Sequence, residues 1–219
     1  VTRDPDGQRL PVDYVWYAAY GSNMHGERFD HYLRGGRPEH GARTYPGCRD
    51  RTPPRRTAPV RLPGRMYFAL ESLVWTGGLA LYDPLDPGET LARAYLLTTD
   101  QFTDVAAQEM HRPPGAAVSL TAAIEHGTAT LGPGRYETLI SPGRLDGHPL
   151  LTFTAPWRSE TTVWTAPSAP YLRHLAQGLI ETHAHTPTQA ATYLATRPGA
   201  AGTWTTNAIE SLLPTTRTT

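Results

Sequence analysis

Apolar positions along the chain fall in short runs separated by turn-forming pairs. Asp13 to Tyr20 (DYVWYAAY) is dense in aromatic and β-branched residues and predicts a strand. Arg65 to Leu70, Gly78 to Tyr82, Leu91 to Thr98, Arg135 to Ile140 and Pro149 to Ala155 have the same character. Pro-Gly pairs at 46–47, 63–64, 87–88, 133–134, 142–143 and 198–199 mark the turns between them. Three stretches repeat apolar residues at helical spacing instead. Gln101 to Met110 places Phe102, Val105, Ala106 and Met110 on one face, Tyr171 to His183 repeats Leu172, Leu175 and Leu179, and Thr188 to Thr196 follows. Such strands with interspersed helices predict an α+β domain built as a small mixed β-barrel with flanking helices. The expected boundaries are a flexible N-terminal segment at 1–12, a single domain over 13–204 and a polar, flexible tail at 205–219.

Composition narrows the class. At 219 residues, the chain suffices for one domain with a sizeable core. Lys+Arg and Asp+Glu both number 20, so overall charge points to neither nucleic acid nor an anionic membrane as partner. Mean hydropathy is −0.43, and no apolar run approaches the roughly 20 residues that cross a bilayer. Val1 to Pro11 lacks the apolar centre of a secretion signal, and a lone Cys48 fits a reducing compartment; a cytoplasmic location is expected. All basic residues apart from histidine are arginine. With no lysine there is no Schiff-base chemistry, no lysine-bearing phosphate loop and no Ser-Lys dyad. Oligomeric state is not readable.

Two places carry candidate chemistry. Tyr20-Gly21-Ser22-Asn23-Met24 follows the most strand-like segment and leads into helix-compatible residues from His25 to Leu33. Such a turn can aim successive backbone N–H groups at a carboxylate or oxyanion, although a capped strand-to-helix turn with no ligand has the same signature. Glu109 sits among valine, alanine and methionine near a helix end, where apolar neighbours would raise its pKa toward that of a useful general base; a surface glutamate is the plain alternative. Arg49 to Arg65 holds six arginines, four prolines and one aspartate, and reads as a solvated loop or as an arginine-lined mouth for an acidic group. Glu181, His183 and His185 have the residue types of a metal site, but histidines two apart on a helix do not share a face. Ser22 with His25 or His31 could imitate a hydrolase without the Gly-x-Ser-x-Gly elbow. Cys48 has arginine neighbours that could lower its pKa.

Taken in order, these stretches resemble the gamma-glutamylcyclotransferase-like family. Tyr20 to Met24 is similar to that family's substrate loop, and Trp75-Thr76-Gly77-Gly78-Leu79-Ala80 to its Trp-x-Gly-Gly-aliphatic-Ala strand. Gln108-Glu109 resembles the place of its catalytic glutamate, Gly134-Arg135-Tyr136 its Gly-x-Tyr strand opening, and Pro167 to Tyr171 the segment delivering another pocket tyrosine. The resemblance covers residues 13 to 200 and rests on the common order of motifs that are individually weak. It implies an enzyme that releases 5-oxoproline and a free amine from a small-molecule or peptide γ-glutamyl amide. Glu109 would be general acid/base, and Tyr20, Gly21, Ser22, Asn23, Met24, Tyr136 and Tyr171 would bind substrate. It implies no metal and no organic cofactor. Departures are Met110 where a glycine commonly follows the glutamate, the long stretch His111 to Leu131, Phe153 near a family tyrosine position, and Arg34 to Gly64 without a counterpart. An inactive binding module on the same fold is the alternative.

Overall fold

The computed structural model describes residues 13–37, 43–72 and 74–214. Its central strand is β1 (Tyr14–Ala19), preceding a single 3-10 turn at Ser22–Met24 and α1 (Gly26–Arg34). β2 (Arg56–Pro63), β3 (Arg65–Ala69), β4 (Leu79–Asp83) and β5 (Glu89–Thr98) follow, then α2 (Thr99–Glu109). The second half runs through α3 (Thr121–His126), β6 (Thr128–Thr130), β7 (Thr138–Leu145), β8 (His148–Thr154), α4 (Ala169–His183), α5 (Pro187–Ala195) and α6 (Thr206–Glu210).

Six strands form one mixed sheet in the order β2-β5-β1-β8-β7-β6, and β3 pairs with β4 in a separate hairpin. β1 runs antiparallel to β5, with Tyr17 opposite Tyr95, and parallel to β8, with Tyr17 opposite Leu151. The expected β-barrel is not found among the described residues, where the hydrogen-bond ladder does not close. One edge strand, β2, carries Pro59 and Pro63, which suit an edge because proline donates nothing to a ladder. The other, β6, has three residues. The β3–β4 hairpin joins the sheet through side chains: Thr154 Oγ1 accepts from Tyr82 N–H (2.9 Å) and donates to Tyr82 O (2.7 Å).

Alternation along β1 divides the core in two. Trp16, Ala18 and Tyr20 face the hairpin residues Phe68 and Tyr82 and the helices α4 and α5 through Leu172, Leu175, Leu179 and Leu194. Val15, Tyr17 and Ala19 face α1 and α2 through Phe29, Leu33, Phe102 and Val105. Helices thus cover both faces of the sheet, which is why β1 reads as a continuous apolar run instead of an alternating one. Each fully buried leucine or phenylalanine here contributes about 1.5–3 kcal/mol.

Two sequence expectations are corrected. The Arg/Pro-rich stretch is not simply a loop, since β2 pairs with β5 from Arg56 opposite Leu96 to Pro63 opposite Glu89. Its prolines and outward arginines hid a strand whose buried partners lie on β5. The tail assigned to 205–219 begins with α6, capped by Thr205, whose Ile209 is fully buried. Five residues are too few to show helical periodicity. Residues 1–12 and 215–219 lie outside the described residues.

Candidate active site

The 3-10 turn after β1, the C-terminal end of α2, the edge of β4 and the start of α4 meet around a cavity of about 60 Å³. Tyr20, Gly21, Ser22, Asn23, Glu109, Tyr136 and Tyr171 all line it, joined by Tyr17, Tyr32, Ala80 and Phe153. Met24, expected with them, is instead buried against α4, where a Cβ on Gly178 would stand 2.8 Å from its own Cβ. Side chains on successive residues of a tight turn diverge, so Asn23 and Met24 serve different sides.

Glu109 reaches this cavity because α2 is fixed at its other end. Thr98 caps it with a capping box completed by Gln101, and Phe102, Val105 and Ala106 bury its inner face. Gln108 locks the last turn by donating to Tyr32 O at 3.0 Å. The Glu109 carboxylate then accepts from Asn23 Nδ2 at 3.1 Å, and the same amide lies 3.3 Å from the Tyr17 hydroxyl. Asn23 is held in turn by its carbonyl, which accepts from Tyr95 OH at 2.8 Å. Burial pushes the Glu109 carboxyl above its ordinary value, against the opposing pull of the Tyr32 hydroxyl, the Arg28 and Arg43 charges and the Asn23 amide. Burial, reinforced by the Glu109 charge, also raises Tyr17 and Tyr32, so both phenols stay protonated.

Two tyrosines grip the backbone of one residue, on the two peptide units that flank it. Tyr136 OH donates to Ala80 O (3.0 Å), while Tyr171 OH accepts from Ala80 N–H (3.2 Å). The Gly77-Gly78 pair permits this arrangement. Gly77 has φ +62, and a Cβ on Gly78 would stand 2.0 Å from Thr165 O, so the segment entering α4 can lie against β4 only if both are glycine. At Gly21 a Cβ would meet Tyr171 OH at 3.3 Å. The departure at Met110 has a simple reason: its φ is −80, and the left-handed residue is His111, with φ 59.

Other sequence candidates lie elsewhere. His25 is committed to Glu181 through Nε2 (3.1 Å) and lies 3.4 Å from His174 Nδ1 through Nδ1, so it does not activate Ser22. Glu181 also bonds Arg93 (3.2 Å), whereas His183 Nε2 lies 3.2 Å from Ala92 O, so the Glu-x-His-x-His residues do not converge. Cys48 is buried, and desolvation followed by the Asp104 and Asp50 charges pushes its thiol up to about 12, the opposite of activation by arginine. Arg49 pairs with Asp104 (3.1 Å), Arg56 with Asp146 (2.8 Å) and Arg61 with Glu89 (2.6 Å); none lines the Glu109 cavity. Sequence reasoning missed Tyr17 and Tyr32. Tyr17 alternates with the core residues of β1, and Tyr32 sits on α1 among apolar positions, so each had the pattern of a packing residue. Arg28, whose charge acts on the Glu109 carboxyl, was missed as well.

No protein-family model matches the chain. Histone deacetylase 5 of Arabidopsis thaliana is 30% identical over an alignment of 185 residues that covers 76% of this chain and 28% of that protein. The chain therefore spans little more than a quarter of the length of this curated relative. Among solved structures, a gamma-glutamyl cyclotransferase superposes with TM-score 0.49 at 14% identity, covering 91% of this chain and 98% of its own. The uncharacterized protein loc79017 from Homo sapiens superposes with TM-score 0.50 at 14% identity, covering 92% and 99%. The chain shares the α+β fold of that human protein along nearly its full length.

Proposed function

We propose that this protein cyclises a γ-glutamyl amide, releasing 5-oxoproline and the amine. The observation that carries the reading is the hydrogen bond between Asn23 and Glu109 (3.1 Å) inside a cavity walled by Gly21, Ser22 and five tyrosines. The reading is further supported by the ordered resemblance of the motifs that supply these residues.

The reaction needs a chain held in a curl and a proton moved twice. The substrate's α-amine nitrogen attacks its own γ-carbonyl carbon, forming the new C–N bond of a five-membered ring. Glu109 accepts the proton that the amine sheds. The tetrahedral intermediate then collapses, the old C–N bond breaks, and Glu109 returns the proton to the departing nitrogen. Water is neither consumed nor formed. One carboxyl group can perform both transfers if its pKa lies above the ordinary carboxylate range, as burial dictates here. Holding the γ-glutamyl arm folded supplies effective molarity worth about 7–11 kcal/mol in well-oriented cases.

The neighbouring groups have matching roles. Asn23 Oδ1 has no hydrogen-bond partner among the described residues and can accept from the substrate amine. The amides opening the turn at Gly21, Ser22 and Asn23 would receive the α-carboxylate or the developing oxyanion, with Ser22 N–H leaving the Tyr171 hydroxyl to do so. Tyr136 and Tyr171, each tied to the Ala80 backbone, would fix the wall against which the arm curls.

The test is mass spectrometry for 5-oxoproline after incubation with a panel of γ-glutamyl amides, wild type beside Glu109→Gln. Wild type should form product, and the variant should lose on the order of 10²–10⁴-fold, the usual contribution of a general acid/base. Saturable binding with no product from any panel member would leave a binding module instead.

A further inference from the structure

A second, larger cavity of about 830 Å³ adjoins this site, and its most unusual wall is Arg28. Arg28 is 3% exposed, yet two of its guanidinium nitrogens, Nε and Nη1, have no hydrogen-bond partner among the described residues. Its third, Nη2, donates to the Tyr45 hydroxyl. The guanidinium carbon lies 4.6 Å from the Tyr45 ring centre, 5.2 Å from Tyr32 and 5.6 Å from Trp75. Aromatic faces stabilise the charge but accept no conventional hydrogen bond from those two nitrogens. The Glu109 charge offsets part of the cost of burying this cation, but its two unbonded donors still favour a ligand that brings acceptors to them.

The cavity that Arg28 lines is also lined by Trp75, Pro170, Arg173, His174 and Leu212. Glu27 is the one carboxylate among its lining residues, against two arginines. Trp75 gives a broad flat wall, its ring 4.8 Å from that of His174 and stacked at 5.9 Å on Tyr171. Tyr171 lines the Glu109 cavity, so Tyr171, Trp75 and Arg28 form a partition with one site on each side. Free guanidinium donors next to an indole face suit a ligand with an anionic group and a flat apolar body.

We propose that the larger cavity is a specificity site for an aromatic carboxylate carried by the amine half of the substrate, with Arg28 receiving the carboxylate and Trp75 the ring. This rests on the cyclisation reading for the direction of the substrate, and it adds two residues that would choose among γ-glutamyl amides. Neither needs to touch the reacting atoms.

Three probes separate the contributions: γ-glutamyltryptophan, γ-glutamyltryptamine, which lacks the carboxylate, and γ-glutamylglycine, which lacks the ring. Calorimetric titration of the Glu109→Gln protein measures binding without turnover, and 5-oxoproline release is followed separately in wild type. γ-Glutamyltryptophan should bind at least tenfold more tightly than either of the others. Adding Arg28→Met should erase its advantage over γ-glutamyltryptamine, and adding Trp75→Ala its advantage over γ-glutamylglycine. Equal binding of the three probes, or no binding of any, overturns the proposal, as does a preference for the carboxylate that survives in folded Arg28→Met protein. Should Arg28→Met not fold, the three-probe comparison and Trp75→Ala still decide. The stated binding order without any 5-oxoproline would refute cyclisation and leave this site standing. Product formed from all three with no binding order would do the reverse.

Discussion

Gly178 lies in the interior of α4, where alanine would ordinarily be preferred by about 0.8–1.0 kcal/mol. In this fold the preference should be cancelled or reversed. A Cβ at position 178 would stand 2.8 Å from His25 N, 2.8 Å from Met24 Cβ and 2.9 Å from Met24 C. Two of those three atoms are backbone and cannot rotate away, so either the helix or the turn must move. Overpacking of this kind costs about 1–3 kcal/mol, which leaves Gly178→Ala about 0–2 kcal/mol less stable once the propensity gain is subtracted. The strain also falls next to the site, because Met24 and His25 directly follow Asn23, whose amide holds Glu109 at 3.1 Å. Displacing a positioned group by an ångström can cost on the order of 100-fold, so turnover should fall by more than the stability loss explains. Urea unfolding gives the first quantity, and kcat/KM for 5-oxoproline release under folding conditions gives the second. A variant about 1 kcal/mol more stable than wild type, with unchanged turnover, would show that α4 is not wedged against the turn and would refute the reasoning.

Two further substitutions probe the site through stability. Tyr171→Phe removes the acceptor of the Ala80 N–H and leaves a buried donor unpaired, which should cost about 1–3 kcal/mol in denaturant unfolding; no loss would mean that the bond is dispensable. Glu109→Gln should gain stability over wild type as pH rises. The folded state holds the Glu109 proton more tightly than the unfolded chain, so the wild-type contribution is full below the ordinary value of 4.5 and is lost as pH climbs through the raised folded value. Melting temperatures measured across that window should diverge in favour of the variant, and divergence toward wild type would contradict the burial of the charge.

The sequence showed the site more clearly than the sheet around it. Tyr20 to Asn23, after an aromatic run, and Glu109, at the end of a helix, are legible because each sits at a break between periodic elements, whereas Tyr136 and Tyr171 are reached only through the family resemblance. β2 was not legible, because its arginines and prolines carry no alternation that marks a buried face, and its pairing is decided by β5. The run Arg135 to Ile140 predicts a strand, whereas the ladder starts at Thr138, since Tyr136 serves the cavity before it begins. α6 was too short for periodicity to register. Arg28 shows a different limit: in sequence it is an ordinary helical arginine, and only the convergence of Tyr32, Tyr45 and Trp75 from three distant segments makes it a buried cation.

The central claim is that a partly shielded carboxyl group on residue 109 moves the proton. Its most direct test is the pH dependence of kcat/KM for 5-oxoproline release, because the acid limb of that profile reports the essential base in the free protein. The account predicts a limb whose midpoint lies above 4.5 and which disappears, together with most of the activity, in Glu109→Gln. A midpoint at or below 4.5, or a variant that keeps the wild-type profile, would contradict it.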